Sequence, residues 1–179
     1  MEITEEMVAG TATRLKLKDL TEGKVCTVKW EPKLQYGWDD GVAIGRYLAG
    51  LKEGKILGRL CRKCGRHLIP PRMFCEICWR PTDEWITLPD TGIVNTFVIS
   101  HVDWKAGRLD IEGGERPYTP AVIELDAPKV GTYQPGLLHM LDEVDPKDIE
   151  IGMKVKAVWK PEEEREGSIT DIKYFKPAE

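Results

Sequence analysis

Apolar and polar residues alternate on both sides of a Thr-Glu-Gly turn in "RLKLKDLTEGKVCTVKW", residues 14–30. That pattern predicts a short hairpin, with Cys26 buried in its second arm between Val25 and Val28. The period then changes. In "WDDGVAIGRYLAGLKEGK" the residues Ile44, Tyr47, Leu48 and Leu51 fall at i, i+3, i+4 and i+7. This predicts a helix capped by Asp39 or Asp40 and ended by Gly54. "KILGRL" follows as a strand. From residue 91 the texture is that of repeated strands: "GIVNTFVISHV", "AVIELD", "GLLHMLDEV", "MKVKAVWK" and "ITDIKYF". In the fourth, Met153, Val155, Ala157 and Trp159 share one face, with Lys154 and Lys156 on the other. "VDPKDIEIG" leaves room for one turn of helix at most, and "KPEEEREG" reads as a solvated hairpin tip. Five strands without helix-length crossovers suit a small closed or nearly closed barrel. The chain divides into an N-terminal extension with the hairpin (1–37), a helical and cysteine-bearing segment (38–88) and the barrel (89–179).

Four of the five cysteines lie in "CRKCGRHLIPPRMFCEIC", as two Cys-x-x-Cys pairs separated by ten residues. Each pair can form a tight turn that aims two sulfurs at one point, and Gly65 supplies the permissive backbone such a turn favours. Cys61, Cys64, Cys75 and Cys78 are therefore the expected ligands of a tetrahedral ion, zinc first, in a closed structural site. Iron also accepts four thiolates and stays open as an alternative. A redox role for the pairs would need a thioredoxin-like βαβ setting, which the pattern lacks. His67 follows the first pair, but four sulfurs already fill the coordination sphere, so an exposed or loop position is expected for it.

Composition narrows the function classes. The chain of 179 residues is 31% charged with net charge −4, which argues against wholesale nucleic-acid binding. It has no apolar run long enough to span a membrane, and the acidic start "MEITEEMVAG" has no secretory h-region. A reducing cytoplasm is the expected compartment. Within residues 52–80, however, Lys52, Lys55, Arg59, Arg62, Lys63, Arg66, Arg72 and Arg80 outnumber Glu53 and Glu76 by six. A tetrathiolate zinc centre offsets about two of those charges. A modest basic patch on an acidic protein is the expectation. Three uses for it compete: a solvated face, contact with an anionic small molecule or protein, and a nucleic-acid module with strand-face aromatics.

The run from "IGRYLAGLKEGKILGRLCRKCGRHLIPPRMFCEIC" through "DEWITLPDTGIVNTFVIS", "YTPAVIEL", "DIEIGMKVKAVW" and "YFKP" resembles the zinc-ribbon/OB "domain of unknown function" family that accompanies thiolases. The match runs in order from about residue 40 to the C-terminus; residues 1–37 lie outside it. The resemblance implies a mainly β protein with an N-terminal helical segment, a rubredoxin-like zinc ribbon and a five-stranded OB-fold barrel. It also implies a non-catalytic subunit that docks to a thiolase-fold enzyme, of thiolase or hydroxymethylglutaryl-CoA synthase type, and helps form an acyl-CoA site. Structural zinc on Cys61, Cys64, Cys75 and Cys78 carries over residue by residue. Coenzyme A or acyl-CoA is expected at an interface with the partner, with Arg62, Lys63, Arg66 and Arg72 as candidate contacts to its phosphates. A free-standing acyl-CoA-binding protein is the alternative. The second pair departs from the family pattern: Trp79 stands where glycine is common.

No catalytic set assembles along the chain. Cys26 is the one thiol left over, His101 and His139 lie in separate predicted strands, and Ser100 and His101 as strand neighbours point to opposite faces. The segment "DWKAGRLDIEGGERPYTP" is long for a barrel connection, with Gly113 and Gly114 marking it as flexible. A loop of that length is often functional, and it is expected over the partner's active-site mouth.

Overall fold

A computed structural model describes residues 16–28, 30–103 and 105–178. The chain divides into two compact units, residues 1–38 and 39–179. Among the described residues of the first lies one short helix, α1 (Leu17–Thr21), where the alternating pattern predicts a hairpin arm. The Thr-Glu-Gly triplet ends that helix instead of turning a hairpin. Gly23 takes φ +69, its N–H donates to the Leu20 carbonyl (3.3 Å), and the Lys24 N–H donates to the Asp19 carbonyl (3.0 Å). This is the paired hydrogen bonding of a left-handed helix cap. Glycine at positive φ serves hairpins and helix ends alike, so the triplet alone does not choose between them. Cys26, expected to be buried, is exposed; with no sheet in this unit's described residues, no face exists for it to pack on.

The second unit opens with α2 (Gly41–Lys52). Asp39 Oδ1 accepts the Gly41 N–H at 3.0 Å, while Asp40, the formal cap, makes no side-chain bond. At the other end Gly54 takes φ +72, and the Lys55 N–H closes onto the Gly50 carbonyl at 2.8 Å. The same cap ends both helices. Tyr47 and Leu51 are buried as the helical period requires.

Five short strands follow: β1 (Ile56–Leu60), β2 (His67–Leu68), β3 (Phe74–Cys75), β4 (Arg80–Pro81) and β5 (Glu84–Leu88). They form an antiparallel sheet in the order β2-β1-β5 and a separate β3-β4 hairpin. The remaining strands are β6 (Thr91–Phe97), β7 (Pro120–Leu125), β8 (Gly136–Met140), β9 (Lys154–Trp159) and β10 (Ile172–Pro177). Their sheet has the order β10-β9-β6-β7-β8. Its outer strands meet through one parallel bridge, Leu141 to Phe175, and the Asp142 N–H donates to the Phe175 carbonyl at 2.9 Å. A single bridge, not a continuous ladder, joins the ends, so the barrel is incompletely closed. A side chain at Gly92 would put its Cβ 2.1 Å from the Glu124 carbonyl oxygen, so this close β6–β7 approach requires glycine.

Strand alternation works as the sequence predicts. In β9, Val155 and Ala157 are buried while Lys154 and Lys156 are exposed; in β7, Ala121, Ile123 and Leu125 point inward. One buried cluster runs from Tyr47, Leu51, Ile56 and Ile69 through Leu88 to Val94, Val155 and Phe175. The helix and the first sheet thus share the barrel's core, and each such side chain contributes on the order of 2 kcal/mol of burial.

The acidic connection after β9 contains a short 3-10 turn, Glu162–Glu164. It is not merely a solvated tip. Arg165 donates from Nε to the Lys160 carbonyl at 2.8 Å, and its guanidinium lies 5.6 Å from the Trp159 ring centroid. Asp171, fully buried, accepts from the N–H groups of Glu166 (3.1 Å), Gly167 (2.8 Å) and Ser168 (3.0 Å). Burial raises its pKa, but these three amides and Lys160 outweigh that and hold it below the usual carboxylate range. The lowered value means that this contribution to stability is fully present above the unfolded-state pKa of about 3.9 and is lost as pH falls through the folded value. Asp171→Ala should cost about 2–4 kcal/mol in urea unfolding at pH 7. The gap from wild type should narrow as the pH is lowered below about 4.

Candidate metal centre

The two cysteine pairs sit on matching turns. After the first, the Gly65 N–H donates to the Cys61 carbonyl at 2.7 Å; after the second, the Trp79 N–H donates to the Cys75 carbonyl at 2.9 Å. Gly65 has φ +75 and Trp79 φ +50. The second turn therefore needs the left-handed backbone of the first and obtains it from a tryptophan. The chain crosses between the turns over Pro70 and Pro71, with β2 on one side and β3 on the other.

The sulfurs of Cys61, Cys64, Cys75 and Cys78 all lie within 4.8 Å of one another, and those of Cys64 and Cys75 are 3.8 Å apart. A tetrahedron with zinc–sulfur bonds of about 2.3 Å has edges of about 3.8 Å. The donor set fits the ion. Cys61 and Cys75 are fully buried, with Leu68 packed beside them. For Cys61, burial raises the thiol pKa, but N–H groups of Cys64 and Lys63 and the adjoining sulfurs overcome this and bring it down to about 7. Burial and the three neighbouring sulfurs push Cys78 up to about 12, and burial also raises Cys64. The cluster readily accepts one negative charge and resists a second, the electrostatics of a site that a divalent cation completes. Zinc here is structural, since sulfur fills all four positions and none is left for substrate.

His67 is not among the grouped ligand atoms. It lies on β2, half-buried, and not in a loop as expected; burial lowers its pKa. Its carbonyl accepts from Tyr133 Oη at 3.0 Å, tying the metal turns to the β7–β8 connection. His101 is exposed, while His139 packs edge-on against Phe175 with ring centroids 5.7 Å apart. Ser100 Oγ is engaged with the backbone of Val102.

The basic residues are more neutralised than the sequence suggests. Arg62 meets Glu84 through Nε and Nη2 at 3.2 and 3.0 Å. Arg72 lies 3.3 Å and Arg66 3.9 Å from Glu76, and Arg66 also covers the Tyr133 ring at 4.9 Å. Arg80 forks onto Asp83 at 3.0 and 2.8 Å. Arg59 is buried, donating to the side chain and carbonyl of Thr82 at 2.9 and 2.7 Å. Of the four candidate phosphate contacts, only Lys63 is exposed and without a carboxylate partner among the described residues. Asp83 and Glu84 fall just beyond the basic window, which is why the count along the chain misses them.

The sequence also gives no sign of an apolar face on the second metal turn. Met73, Phe74, Ile77 and Trp79 are exposed, Trp79 at 82%. The Phe74 and Trp79 rings meet edge to face at 6.3 Å. A bulky residue held at positive φ costs about 1–2 kcal/mol, so Trp79 is kept there against backbone preference. Its place in the glycine position of the pattern was the available signal.

The comparisons agree with this architecture. Residues 48–84 match the model described as the ChsH2 rubredoxin-like zinc ribbon domain, and residues 85–160 match the ChsH2 C-terminal OB-fold domain. A DUF35-family protein of unknown function from Sulfolobus solfataricus, solved by crystallography, is 26% identical with a TM-score of 0.50. The alignment covers 66% of this chain and 78% of that one. An Ltp2–ChsH2(DUF35) aldolase structure is 22% identical with a TM-score of 0.51, over 82% of this chain and 98% of that one, and shows the shared fold. No curated protein matches. Among the described residues, no helix is long and apolar enough to cross a membrane.

Two outcomes are expected. The purified chain should carry one zinc by elemental analysis, and Cys75→Ser should lose it along with several kcal/mol of stability. Trp79→Gly should retain the metal and unfold at higher urea, by about 1 kcal/mol, because glycine takes the left-handed backbone without strain.

Proposed function

The chain belongs to the ChsH2-type zinc-ribbon and OB-fold (DUF35) family, and from that premise we propose that it is an accessory subunit of an acyl-CoA-processing enzyme. It docks to a thiolase-fold partner, does no chemistry alone, and helps shape the site where the partner holds its thioester. The related solved complex, an Ltp2–ChsH2 aldolase, supports an enzyme partner.

The apolar face on the second metal turn carries this reading. Met73, Phe74, Ile77 and Trp79 are exposed beside ion pairs of Arg72 with Glu76 and Arg80 with Asp83. An aromatic anchor ringed by paired charges is the usual make-up of a binding hot spot. A metal-braced turn presents it rigidly, so little conformational entropy is lost on docking.

The long β6–β7 connection is the second element of this reading. Among its described residues, hydrogen bonds tie the backbone of the connection together. Ser100 bridges Tyr118 and Val102 bridges Arg108, and Asp103 Oδ1 accepts the N–H groups of Lys105 (2.8 Å) and Gly107 (2.7 Å). The Gly113 N–H donates to Asp110 at 2.8 Å. Val98, Ile99, Val102 and Ile111 stand exposed along it. A preformed arm of this kind suits the mouth of a partner's active site, while Lys63 is the basic residue best placed to meet a CoA phosphate.

The test is reconstitution with the thiolase-fold enzyme that co-purifies with the chain. Trp79→Gly, which eases the fold, should weaken the complex by about tenfold or more in titration calorimetry. Deleting residues 106–115 should lower turnover of the complex while zinc content is kept. Unchanged assembly and kinetics in both variants, or full turnover by this chain alone, would remove the reading. Lys63→Glu should raise the Kd for CoA several-fold at low salt, with the difference shrinking at high salt.

A further inference from the structure

Residues 30–38, Trp-Glu-Pro-Lys-Leu-Gln-Tyr-Gly-Trp, place every apolar side chain at an even position and every odd position outside that set. In extended backbone such a period of two puts Trp30, Pro32, Leu34, Tyr36 and Trp38 on one face. Tyr36 and Trp38 stand side by side with ring centroids 6.2 Å apart. The stretch has no helix or strand and makes no backbone hydrogen bond to another described residue. Its large side chains face solvent: Trp30 is 74%, Leu34 58%, Tyr36 70% and Trp38 85% exposed. Among the described residues of its own unit, α1 buries no residue and supplies no cover.

The size, charge and backbone of this face say what covers it. Its three aromatic rings and one leucine offer roughly 600 Å² of apolar surface, most of the roughly 800 Å² that each side of a stable protein complex buries. Glu31, Asp39 and Asp40 outnumber Lys33 over residues 30–40, a charge suited to a protein with a basic rim and ill suited to a nucleic-acid backbone. Successive residues of a strand aim their N–H and C=O groups at opposite edges. Pro32 removes a donor from the even edge, whereas Glu31, Lys33, Gln35 and Gly37 keep a complete set on the odd edge. Among the described residues, the outer strands of this chain's own sheets, β2, β3, β4, β5, β8 and β10, run two, two, two, five, five and six residues. The ends of the barrel sheet are moreover joined at Leu141 and Phe175. None offers a nine-residue edge.

We propose that residues 30–38 form a donor strand: they add to an open sheet edge of the partner enzyme through their odd-numbered backbone groups and lay the even-numbered side chains in an apolar trough beside it. This rests on the accessory-subunit reading above and extends it to a segment outside both matched domains.

The probe is the thiolase-fold enzyme recovered with the full-length chain, titrated against that chain and its variants. Gln35→Pro removes one odd-edge donor and should weaken binding about tenfold or more, whereas Gln35→Ala should stay within about twofold. Trp38→Ala should also weaken binding, through the side-chain face. Zinc content should be unchanged in all three. Equal binding by Gln35→Pro and Gln35→Ala overturns the donor strand and leaves the accessory-subunit reading standing. Failure to recover any thiolase-fold enzyme with the full-length chain overturns both. Self-association of the chain alone, seen by sedimentation and abolished by Gln35→Pro, overturns the assignment in favour of a second copy.

Discussion

Four sulfur atoms within 4.8 Å of one another set the constraint on which the first half of the second unit depends. Thiols packed so closely and so deeply resist ionising together, and a divalent cation resolves the conflict by neutralising them at one point. The strands around them are too short to persist alone: β2, β3 and β4 have two residues each. Their geometry is a consequence of where the sulfurs must be, and the two turns that deliver those sulfurs adopt left-handed backbone to do so.

The constraint extends beyond the cluster because the metal core and the barrel core, though separate, adjoin at the end of β2. Leu68 lies beside the buried cysteines, while its neighbour Ile69 joins the cluster that runs through Leu88 to Phe175. Tyr133, from the β7–β8 connection, bonds the His67 carbonyl and carries the Arg66 guanidinium over its ring. The metal turns therefore stand in register with the barrel. The exposed apolar side chains of the second turn inherit that rigidity.

Among the described residues, exposed apolar side chains are grouped on the second metal turn, along the β6–β7 connection and in residues 30–38. Contiguous exposed apolar surface of this kind is common where proteins meet other molecules. The charged residues are consistent with this. Arg62, Arg66, Arg72 and Arg80 are paired with carboxylates, which lessens a general attraction for polyanions. The strained backbone at Trp79 is the clearest local departure from what folding alone favours.

The sequence by itself determined the elements whose signal is periodic or chemically rigid. Ile44, Tyr47, Leu48 and Leu51 announced α2, the Val155–Ala157 alternation announced β9, and the doubled Cys-x-x-Cys announced the metal ligands. These are legible because spacing along the chain translates directly into direction in space. Tertiary structure decided what depends on meetings between distant residues. Gly23 capped a helix instead of turning a hairpin, since both uses need the same backbone angle. Glu84 claimed Arg62 and Asp83 claimed Arg80, pairings that a running charge count cannot foresee. Whether the barrel closed rested on one bridge between residues 141 and 175, and whether Trp79 was buried or displayed rested on how two turns converged. Local pattern fixes the direction of a side chain relative to its own backbone; only the packed chain fixes what stands opposite it.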